Sequence, residues 1–406
     1  MKRMEAKTKK NPLPIARIKV VGIGGGGGNA ISRMSRDFIR GVEFLAINTD
    51  HQDLDQCGAR HKIYIGRNLT RGLGTGMNPE LGRQAAEENR SDIAEALKGA
   101  DLVFIAAGLG GGTGSGASPV VAEAAKQNGA LTLAFVTKPF AFEGSQRERI
   151  AQEWLGKLKE KVDALVVVPN DRVFSLISRE TPILKAFEVI DDILKNALKG
   201  IVELIVSPGI VNLDFADVKA VLHDAGSAIV GIGIASGQER AVNAVNQAMN
   251  SPLLEVSPEG AKGVLFGISG RDLKMSEIND AAKVIAQTAD SSARIIFGAY
   301  YDRRLKANQI KITLIATGFN GAAQAMNSLF TAPRENFFGA KPSHTPFDAG
   351  QELKQGERTL DEKIELEEFV PKAGAPAAGK AERAAAKKKD SDIWDIPTFL
   401  RRKGRK

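Results

Sequence analysis

The chain has 406 residues, 43% of them hydrophobic, which is enough for two domains with their own cores, and no apolar run reaches the roughly 18–20 residues of a membrane span. Cys57 is the single cysteine, which excludes an intramolecular disulfide and is typical of a reducing cytosol, and the four histidines show no metal-ligand spacing. Much of the net charge of +8 comes from basic residues at the two ends of the chain. These ends are either solvated tails or segments that attract an acidic partner, anionic lipid or nucleic acid. The rest of the chain has no basic stripe interleaved with aromatic residues, which argues against dedicated nucleic-acid recognition.

A first glycine-rich segment follows the first predicted strand. Residues 16–21 predict a strand, 22–28 a loop and 29–34 the start of a helix. Three of the glycines satisfy the dinucleotide pattern G-x-G-x-x-G, and Asp50 ends the next strand, where a ribose contact is expected. Because five consecutive glycines fill many patterns by chance, a Rossmann oxidoreductase remains one alternative among nucleotide-binding proteins.

A second glycine-rich segment is more informative. Residues 108–116 predict a loop almost without side chains between a buried strand (101–107) and a helix (117–126). Such a loop lets backbone N–H groups converge on an anion, and the helix adds its positive end. Thr113 and Ser115 supply hydroxyls where phosphate oxygens would lie. Neither glycine segment carries the Gly-Lys-Ser/Thr of a P-loop, which excludes an ordinary P-loop NTPase. Two glycine loops at successive strand ends predict a phosphate chain held from two sides.

The remaining pattern up to residue 180 alternates strands and helices. Such apolar strands, each followed by a helix, indicate a parallel sheet covered on both faces, with a ligand at the carboxyl ends of the strands. The further predicted strands are 42–49, 62–65, 131–137 and 164–168, and the further helices are 79–97 and 145–159.

A long helix then separates two regions. Residues 183–205 predict one helix with an apolar side at positions 183, 187, 190, 194, 198 and 201, and residues 227–317 predict a smaller α+β layer. The predicted fold is therefore α/β, with a Rossmann-like parallel-sheet domain, a central helix, a smaller α+β domain and a disordered tail. We expect an N-terminal tail at 1–16, domains at 17–180 and 208–321, the central helix at 181–207, a disordered linker at 322–390 and a peptide at 391–406.

The last segment of the chain has the composition of a docking peptide. Its apolar residues follow a long stretch that is poor in apolar anchors, and they cannot form a core alone, so we interpret them as a motif that binds a groove on a partner. The residues in question are Asp392, Trp394, Ile396, Pro397, Phe399 and Leu400.

These segments resemble the FtsZ family of bacterial tubulin-like division GTPases. Gly108–Gly116 contains the tubulin-family signature G-G-G-T-G-[ST]-G, and the other matching segments occur in family order over about residues 17–320: 22–29, 48–50, 72–79, 137–144 with Arg147, 169–171 and 212–217. The terminal peptide resembles the D-x-x-D-I-P-x-F-L-R tail of the family.

The resemblance implies a GTP/GDP site, with Mg²⁺ held mainly by the phosphates and no protein metal ligands. The loop at 72–78 resembles the segment that senses the γ-phosphate. Asn170 and Asp192 resemble the pair that reads guanine, although the neighbouring Asp191 leaves open which carboxylate does so. The implied GTP-binding residues are Gly25, Gly26, Gly27, Gly28, Asn29, Gly76, Asn78, Gly112, Thr113, Gly114, Glu143, Arg147, Asn170 and Asp192. From the residues alone, Glu143 and Arg147 also fit a solvated i,i+4 salt bridge.

The resemblance also implies that hydrolysis takes place between subunits. Asp214, Asp217 and Asn212 would enter the nucleotide site of the next subunit in a head-to-tail filament, although on their own the two acids also fit helix-capping residues. The implied protein is a cytoplasmic, self-polymerising GTPase of the mid-cell division ring, held to the membrane by tethering proteins that bind its terminal peptide. The alternative is a tubulin-like GTP-binding scaffold with little hydrolysis.

Overall fold

Ten strands and eleven α-helices account for most of the described structure, which is a computed structural model and covers residues 16–35, 41–178, 180–207, 209–251 and 257–319. The strands are β1 (Ile18–Ile23), β2 (Val42–Asn48), β3 (His61–Tyr64), β4 (Leu102–Gly108), β5 (Leu131–Lys138), β6 (Ala164–Pro169), β7 (Gly226–Ser236), β8 (Gly263–Gly270), β9 (Arg294–Tyr301) and β10 (Gln309–Thr317). The helices are α1 (Gly24–Met34), α2 (His51–Gln56), α3 (Arg67–Thr70), α4 (Pro79–Glu88), α5 (Arg90–Leu97), α6 (Thr113–Gln127), α7 (Ser145–Lys159), α8 (Ile183–Val206), α9 (Phe215–Leu222), α10 (Arg240–Met249) and α11 (Met275–Thr288).

The strands form one sheet in the order β3-β2-β1-β4-β5-β6-β7-β10-β8-β9. All pairs from β3 to β7 are parallel, whereas β10 runs antiparallel to both β7 and β8. The predicted α/β fold, with its parallel sheet, long helix and smaller α+β part, is confirmed. Since β1 pairs with both β2 and β4, the strand order reverses at β1, and a crevice is expected at the carboxyl ends of β1 and β4.

The parallel strands are apolar on both faces because each face is covered by helices. Val20 and Phe104 pack into a core that includes α1 and α8, whereas their neighbours Val21 and Ile105 pack into a second core that includes α5, α6 and α7. This explains why the strands are continuous apolar runs rather than alternating ones.

Both glycine-rich segments contribute more to helices than the sequence predicted. Helix α1 begins at Gly24 rather than at residue 29, and α6 begins at Thr113 rather than at residue 117. The reason is close packing: a Cβ on Gly27 would lie 2.2 Å from the carbonyl oxygen of Ala106, and one on Gly114 would lie 2.4 Å from the carbonyl oxygen of Gly108. Here glycine lets a helix approach a strand, which outweighs its low helix propensity.

Two smaller predictions also need correction. The helix predicted over residues 79–97 is two helices, α4 and α5, which are separated at Asn89. The long helix is confirmed: α8 has 24 residues, and the predicted apolar positions Ile190, Leu194, Leu198 and Ile201 are buried. Across the part of the chain that the structure describes, no helix is both long and apolar enough to cross a membrane.

The parallel and antiparallel parts of the sheet meet at a narrow seam. Strands β6 and β7 share only the pairs Ala164–Gly226 and Leu165–Ser227. Beside this seam the buried Asp163 carboxylate accepts a hydrogen bond from the amide of Thr132 at 2.8 Å and lies 2.8 Å from Nδ1 of His223. The Lys126 ammonium lies 3.1 Å from Asp163 and 3.1 Å from Asp224, so polar contacts reinforce the short ladder.

The antiparallel part has a core of its own beneath α10 and α11. Arg240, whose side chain is almost fully buried, donates to Glu277 and Asp272 and so joins α10 to the start of α11. The predicted tail at 1–16, except residue 16, the linker at 322–390 and the peptide at 391–406 lie outside the described residues.

Candidate functional site

A cavity of about 480 Å³ opens where β1 and β4 end. It lies at the reversal of strand order, where α/β sheets bind ligands. Eleven of the residues predicted from the sequence to bind GTP line it: Gly25, Gly26, Gly27, Asn29, Gly76, Gly112, Thr113, Gly114, Glu143, Arg147 and Asn170. The structure therefore brings together segments that are up to 145 positions apart (Gly25 to Asn170).

Two helix N-termini in this cavity lack a capping side chain. Neither α1 nor α6 has a side-chain hydrogen bond at its N-cap, whereas α2 is capped by Asp50 and α4 by Asn78. Most other described helices also lack a side-chain cap, but α1 and α6 begin at residues that line the cavity, Gly24 and Thr113. Because the first N–H groups of a helix have no partner within the helix, these two N-termini can bind an anion there. Phosphate groups fit this end of the cavity.

The loop before α6 is held by internal hydrogen bonds. The Ser115 hydroxyl accepts from the amide of Gly110 at 3.0 Å and is fully buried, so the prediction that it faces phosphate oxygens is wrong. The amide of Gly112 donates to the carbonyl of Gly76 at 2.9 Å, which joins this loop to the one at 72–78. The Thr113 hydroxyl lies within hydrogen-bond distance of the hydroxyls of Thr49 and Thr75.

The sequence predicted Glu143 and Arg147 on one helix, but in the structure Glu143 precedes the start of α7 and Arg147 follows it. Glu143 ends a 3₁₀ turn (Ala141–Glu143), and Arg147 is in the first turn of α7. The Glu143 carboxylate accepts from the amide of Phe140 at 3.0 Å and lies 3.2 Å from Nη1 of Arg147. Both side chains are largely buried and line the cavity, so this is not a solvated surface pair.

The far end of the cavity holds Asn170, Arg33 and Asp191. The side-chain oxygen of Asn170 is buried and has no hydrogen-bond partner among the described residues. The Asp191 carboxylate forms an ion pair with Arg33, and burial raises the pKa of Asp191 to about 6 despite that pair. Buried polar groups of this kind need a partner, and the amide and ring N–H groups of a base would supply one.

The structure moves the candidate base-reading carboxylate by one residue. Asp191 lines the cavity, whereas Asp192, the residue that the sequence resemblance indicated, is exposed and does not line it. Neighbouring residues of a helix point about 100° apart, so only one of the two acids can face the cavity.

Two other predicted contacts lie beside the cavity rather than in it. The Asn78 side chain accepts from the amide of Leu81 at 3.1 Å and caps α4, and Gly28 lines a small neighbouring pocket near Cys57. Asp50, the ribose candidate of the Rossmann alternative, lines the cavity, but its carboxylate accepts from the amides of Gln52 and Asp53.

The three candidate catalytic residues lie outside the cavity of their own chain. Asp214 occupies the N-cap position of α9, yet its side chain makes no capping hydrogen bond, which removes the capping interpretation for Asp214, whereas Asp217 lies in the first turn of α9. Asp214, Asp217 and Asn212 are exposed. The Asn212 side chain accepts from the amide of Gly209 at 2.6 Å and so fixes the loop that carries the acids.

The sequence prediction missed Arg33, Thr75 and Phe187, all of which line the cavity. Arg33 follows Asn29 by four residues and so shares its helix face, which is the signal that could have identified it. Phe187 was assigned to the apolar side of α8, and a helical pattern does not separate core positions from cavity-lining ones.

Two family models match this chain. Residues 17–178 match the model of the Tubulin/FtsZ family GTPase domain, and residues 226–320 match that of the FtsZ family C-terminal domain. An FtsZ dimer from M. jannaschii is 46% identical, with a TM-score of 0.71, over 76% of this chain and 90% of its own. A mutant of the same FtsZ gives 46% identity and a TM-score of 0.71, over 76% of this chain and 92% of its own.

A more distant structure shares the fold. A GTPγS-bound protofilament of CetZ2 from Haloferax volcanii is 21% identical, with a TM-score of 0.65, over 78% of this chain and 98% of its own. At this identity the likeness concerns the fold alone.

Proposed function

The chain belongs to the FtsZ family and carries its GTPase domain, and from this premise we propose that it is a self-polymerising GTPase whose hydrolytic site is completed by the next subunit. Asp214, Asp217 and Asn212 of one subunit would position water or a cation at the γ-phosphate bound by its neighbour. The domain boundaries that we propose are 17–180 for GTP binding, 181–207 for the central helix and 208–321 for the part that carries the catalytic loop.

We assign the phosphates, ribose and base of the nucleotide to different parts of the cavity according to the polar groups that line each part. The uncapped N-termini of α1 and α6 would hold the phosphates, and Glu143 and Arg147 would bind the ribose. Asn170 and Asp191 would read guanine, since a carboxylate accepts from the ring N–H and the exocyclic amine that adenine does not offer together. The loop at 72–78 would contact the γ-phosphate, and Mg²⁺ would be held mainly by the phosphates.

The observation that carries the proposal is that each carboxylate lining the cavity is already engaged within the chain. Those lining the cavity already have partners: Asp50 caps α2, Asp53 is engaged within the chain, Glu143 pairs with Arg147 and Asp191 pairs with Arg33. With Glu143 assigned to the ribose, Asp191 to guanine, and Asp50 and Asp53 held within the chain, no carboxylate of the cavity is left assigned to a nucleophilic water. The exposed acids of the 212–217 loop would supply this function in trans, since phosphoryl transfer needs mainly positioning and charge stabilisation.

Exposed apolar side chains support a contact between copies of the chain. Ile210 is 70% exposed beside the acidic loop, and Leu73 is 84% exposed at the loop that lines the cavity. A head-to-tail contact would cover both, and a heterologous contact of this kind extends into a filament. The 46% identical FtsZ from M. jannaschii has been solved as a dimer.

The cellular role that we propose is the division ring at mid-cell in the bacterial cytoplasm. It rests on the family and on the terminal peptide with Trp394, Ile396 and Phe399, which would bind membrane-tethering and regulatory division proteins. The basic residues 401–406 would add attraction to anionic lipid, at about 1 kcal/mol per residue near the surface.

The first test is GTP hydrolysis per molecule against protein concentration, with Mg²⁺ and with ATP as the control nucleotide. A shared site predicts a rate near zero below a threshold that rises to a plateau with GTP alone. A rate per molecule that does not change with concentration would mean a complete site in each monomer and would refute the assignment of Asp214 and Asp217. Filaments with negligible turnover at every concentration would favour the scaffold alternative.

A mixing experiment tests the shared site directly. Asp217→Asn removes a proposed catalytic acid but keeps the cavity. Gly112→Ala keeps the acids but displaces the loops that line the cavity, because a Cβ there would lie 2.2 Å from Oγ1 of Thr75 and 2.7 Å from the carbonyl oxygen of Gly76. We expect each variant alone to be inactive and their mixture to hydrolyse GTP. Asp280→Asn is the matched control, because Asp280 is an exposed acid on α11, outside the 212–217 loop. We expect this variant to keep the activity of the unsubstituted protein.

A further inference from the structure

The helix that carries the candidate catalytic acids ends on a buried carboxylate. Asp214 and Asp217 lie at the start of α9, and His223 follows its last residue as the C-cap. Nδ1 of His223 lies 2.8 Å from Oδ1 of Asp163, whose side chain is 1% exposed. The next amide along the chain, that of Asp224, donates to the same oxygen at 3.4 Å. One end of α9 therefore presents the acids, and the other is hydrogen-bonded to the residue that precedes β6.

Asp163 is itself held by three other elements, so it is a fixed point for α9. Its amide donates to the carbonyl of Thr132 at 2.8 Å, and the Thr132 amide donates to its second carboxylate oxygen at 2.8 Å. Its carbonyl accepts from the amide of Gly226, at the start of β7, at 2.9 Å. The Lys126 ammonium, in the last turn of α6, lies 3.1 Å from Oδ1. Because a carboxylate oxygen accepts and does not donate, Nδ1 of His223 is the donor.

The apolar packing of α9 leaves the helix some freedom to slide. Its buried side chains share one core with the loop before it: Leu213, Val218, Val221 and Leu222. Hydrophobic burial is non-directional, and packed helices shift along one another by about 1–2 Å in shear motions. A hydrogen bond is lost beyond about 3.5 Å, so the 2.8 Å contact between His223 and Asp163 limits such a slide to less than about 1 Å.

We propose that His223 is a positioning residue for the reaction between subunits: its hydrogen bond to Asp163 holds α9 where Asp214 and Asp217 meet the nucleotide of the neighbouring subunit. This inference rests on the proposed function, which places the two acids at the neighbour's γ-phosphate. Misplacing a catalytic group by about 1 Å can cost about 100-fold in rate. His223 is not among the residues that line the chain's own cavity, so its loss slows hydrolysis without weakening nucleotide binding.

The test uses two substitutions of His223 in the full chain. His223→Leu removes the donor at similar volume, and His223→Asn keeps a side-chain N–H near the place of Nδ1. His61→Leu is the matched control, because it makes the same change at an exposed histidine at the start of β3, the end of the strand away from the cavity. The measurements are the plateau rate of GTP hydrolysis per subunit, GDP affinity below the assembly threshold, and the free energy of unfolding.

We expect His223→Leu to lower the plateau rate by about tenfold and to leave GDP affinity unchanged. His223→Asn should recover most of the rate, and His61→Leu should match the unsubstituted protein. His223→Leu should stay folded, because Asp163 keeps its contacts with Thr132 and Lys126. An unchanged rate, a loss that asparagine does not recover, or a matching loss of GDP affinity would overturn the proposal.

Mixing experiments give the loss a direction. With Asp217→Asn, which supplies only cavities, His223→Leu has to supply the acids, so the rate should stay about tenfold below that of unsubstituted protein mixed with Asp217→Asn. With Gly112→Ala, which supplies only acids, His223→Leu supplies the cavity, so the rate should at least equal that of Asp217→Asn mixed with Gly112→Ala. Equal deficits in the two mixtures would overturn the proposal. If Asp217→Asn alone hydrolyses GTP normally, the proposed function fails and this inference with it, whereas a failure confined to the His223 variants refutes this inference alone.

Discussion

Asp191 should make nucleotide affinity depend on pH in a window set by its burial. Its pKa of about 6, against 3.8 for a free aspartate, means that roughly nine-tenths of the carboxylate is ionised at pH 7 and roughly one-tenth at pH 5. If guanine is read by the ionised carboxylate, GDP affinity falls about tenfold between pH 7 and pH 5 and changes little between pH 7 and pH 8. GDP is the suitable ligand because it avoids hydrolysis.

The pKa of Asp191 is raised because the effect of burial outweighs that of the ion pair with Arg33. A rise of about 2 pKa units corresponds to roughly 3 kcal/mol between the two protonation states. Because the folded pKa lies above the unfolded one, this carboxyl contributes stability that is present below pH 4 and is lost as the pH rises to about 6. Replacing Arg33 by glutamine removes a favourable charge, so the midpoint of the pH profile should move upward.

The assay is equilibrium binding of GDP from pH 5 to pH 8 for the original protein, Asp191→Asn and Asp192→Asn. The phosphates of GDP also titrate in this range, so the difference between the Asp191→Asn profile and the original one isolates the carboxylate. Asp192→Asn, which changes the exposed neighbouring acid, should reproduce the original profile. Parallel profiles for the original protein and Asp191→Asn, or a large effect of Asp192→Asn, would refute the assignment of Asp191 to guanine.

Two further predictions concern stability and are checked by chemical denaturation. Gly116→Ala should unfold the protein or destabilise it by several kcal/mol, because the added Cβ would lie 1.9 Å from the carbonyl oxygen of Pro79. Gly156→Ala should instead stabilise α7 by about 1 kcal/mol, because its Cβ would have no atom within 4 Å and alanine has the higher helix propensity. Similar effects of the two substitutions on the free energy of unfolding would contradict this reasoning. Tyr300→Phe should cost about 1 kcal/mol, since the buried tyrosine hydroxyl donates to the carbonyl of Leu204 at 2.7 Å, and an unchanged free energy of unfolding would show that this hydrogen bond contributes nothing net.

The sequence was a good guide where a feature depends on local pattern. The apolar runs predicted the strands, the 3.6-residue periodicity of residues 183–205 predicted α8, and the two glycine segments predicted residues that line the cavity. Each of these signals comes from residues close together in the chain, which is the range over which hydrophobic periodicity and turn chemistry act.

The errors come from contacts that a local pattern does not contain. Gly27 reads as a loop residue until the carbonyl of Ala106 is known to lie against it. Ser115 reads as a phosphate ligand until its partner Gly110 is seen. The choice between Asp191 and Asp192 depends on the rotation of α8 relative to the sheet, and an error of one residue in a helix turns a side chain by about 100°.

The seam between β6 and β7 has a consequence for temperature. Since only two ladder pairs cross it, the two parts of the sheet are joined mainly by the apolar core that α8 shares with both, from Val166 on β6 to Leu265 on β8. Hydrophobic contacts weaken on cooling, whereas hydrogen bonds and ion pairs do not follow the same trend. We therefore expect cold to loosen the link between the cavity and the acidic loop before it loosens either part by itself.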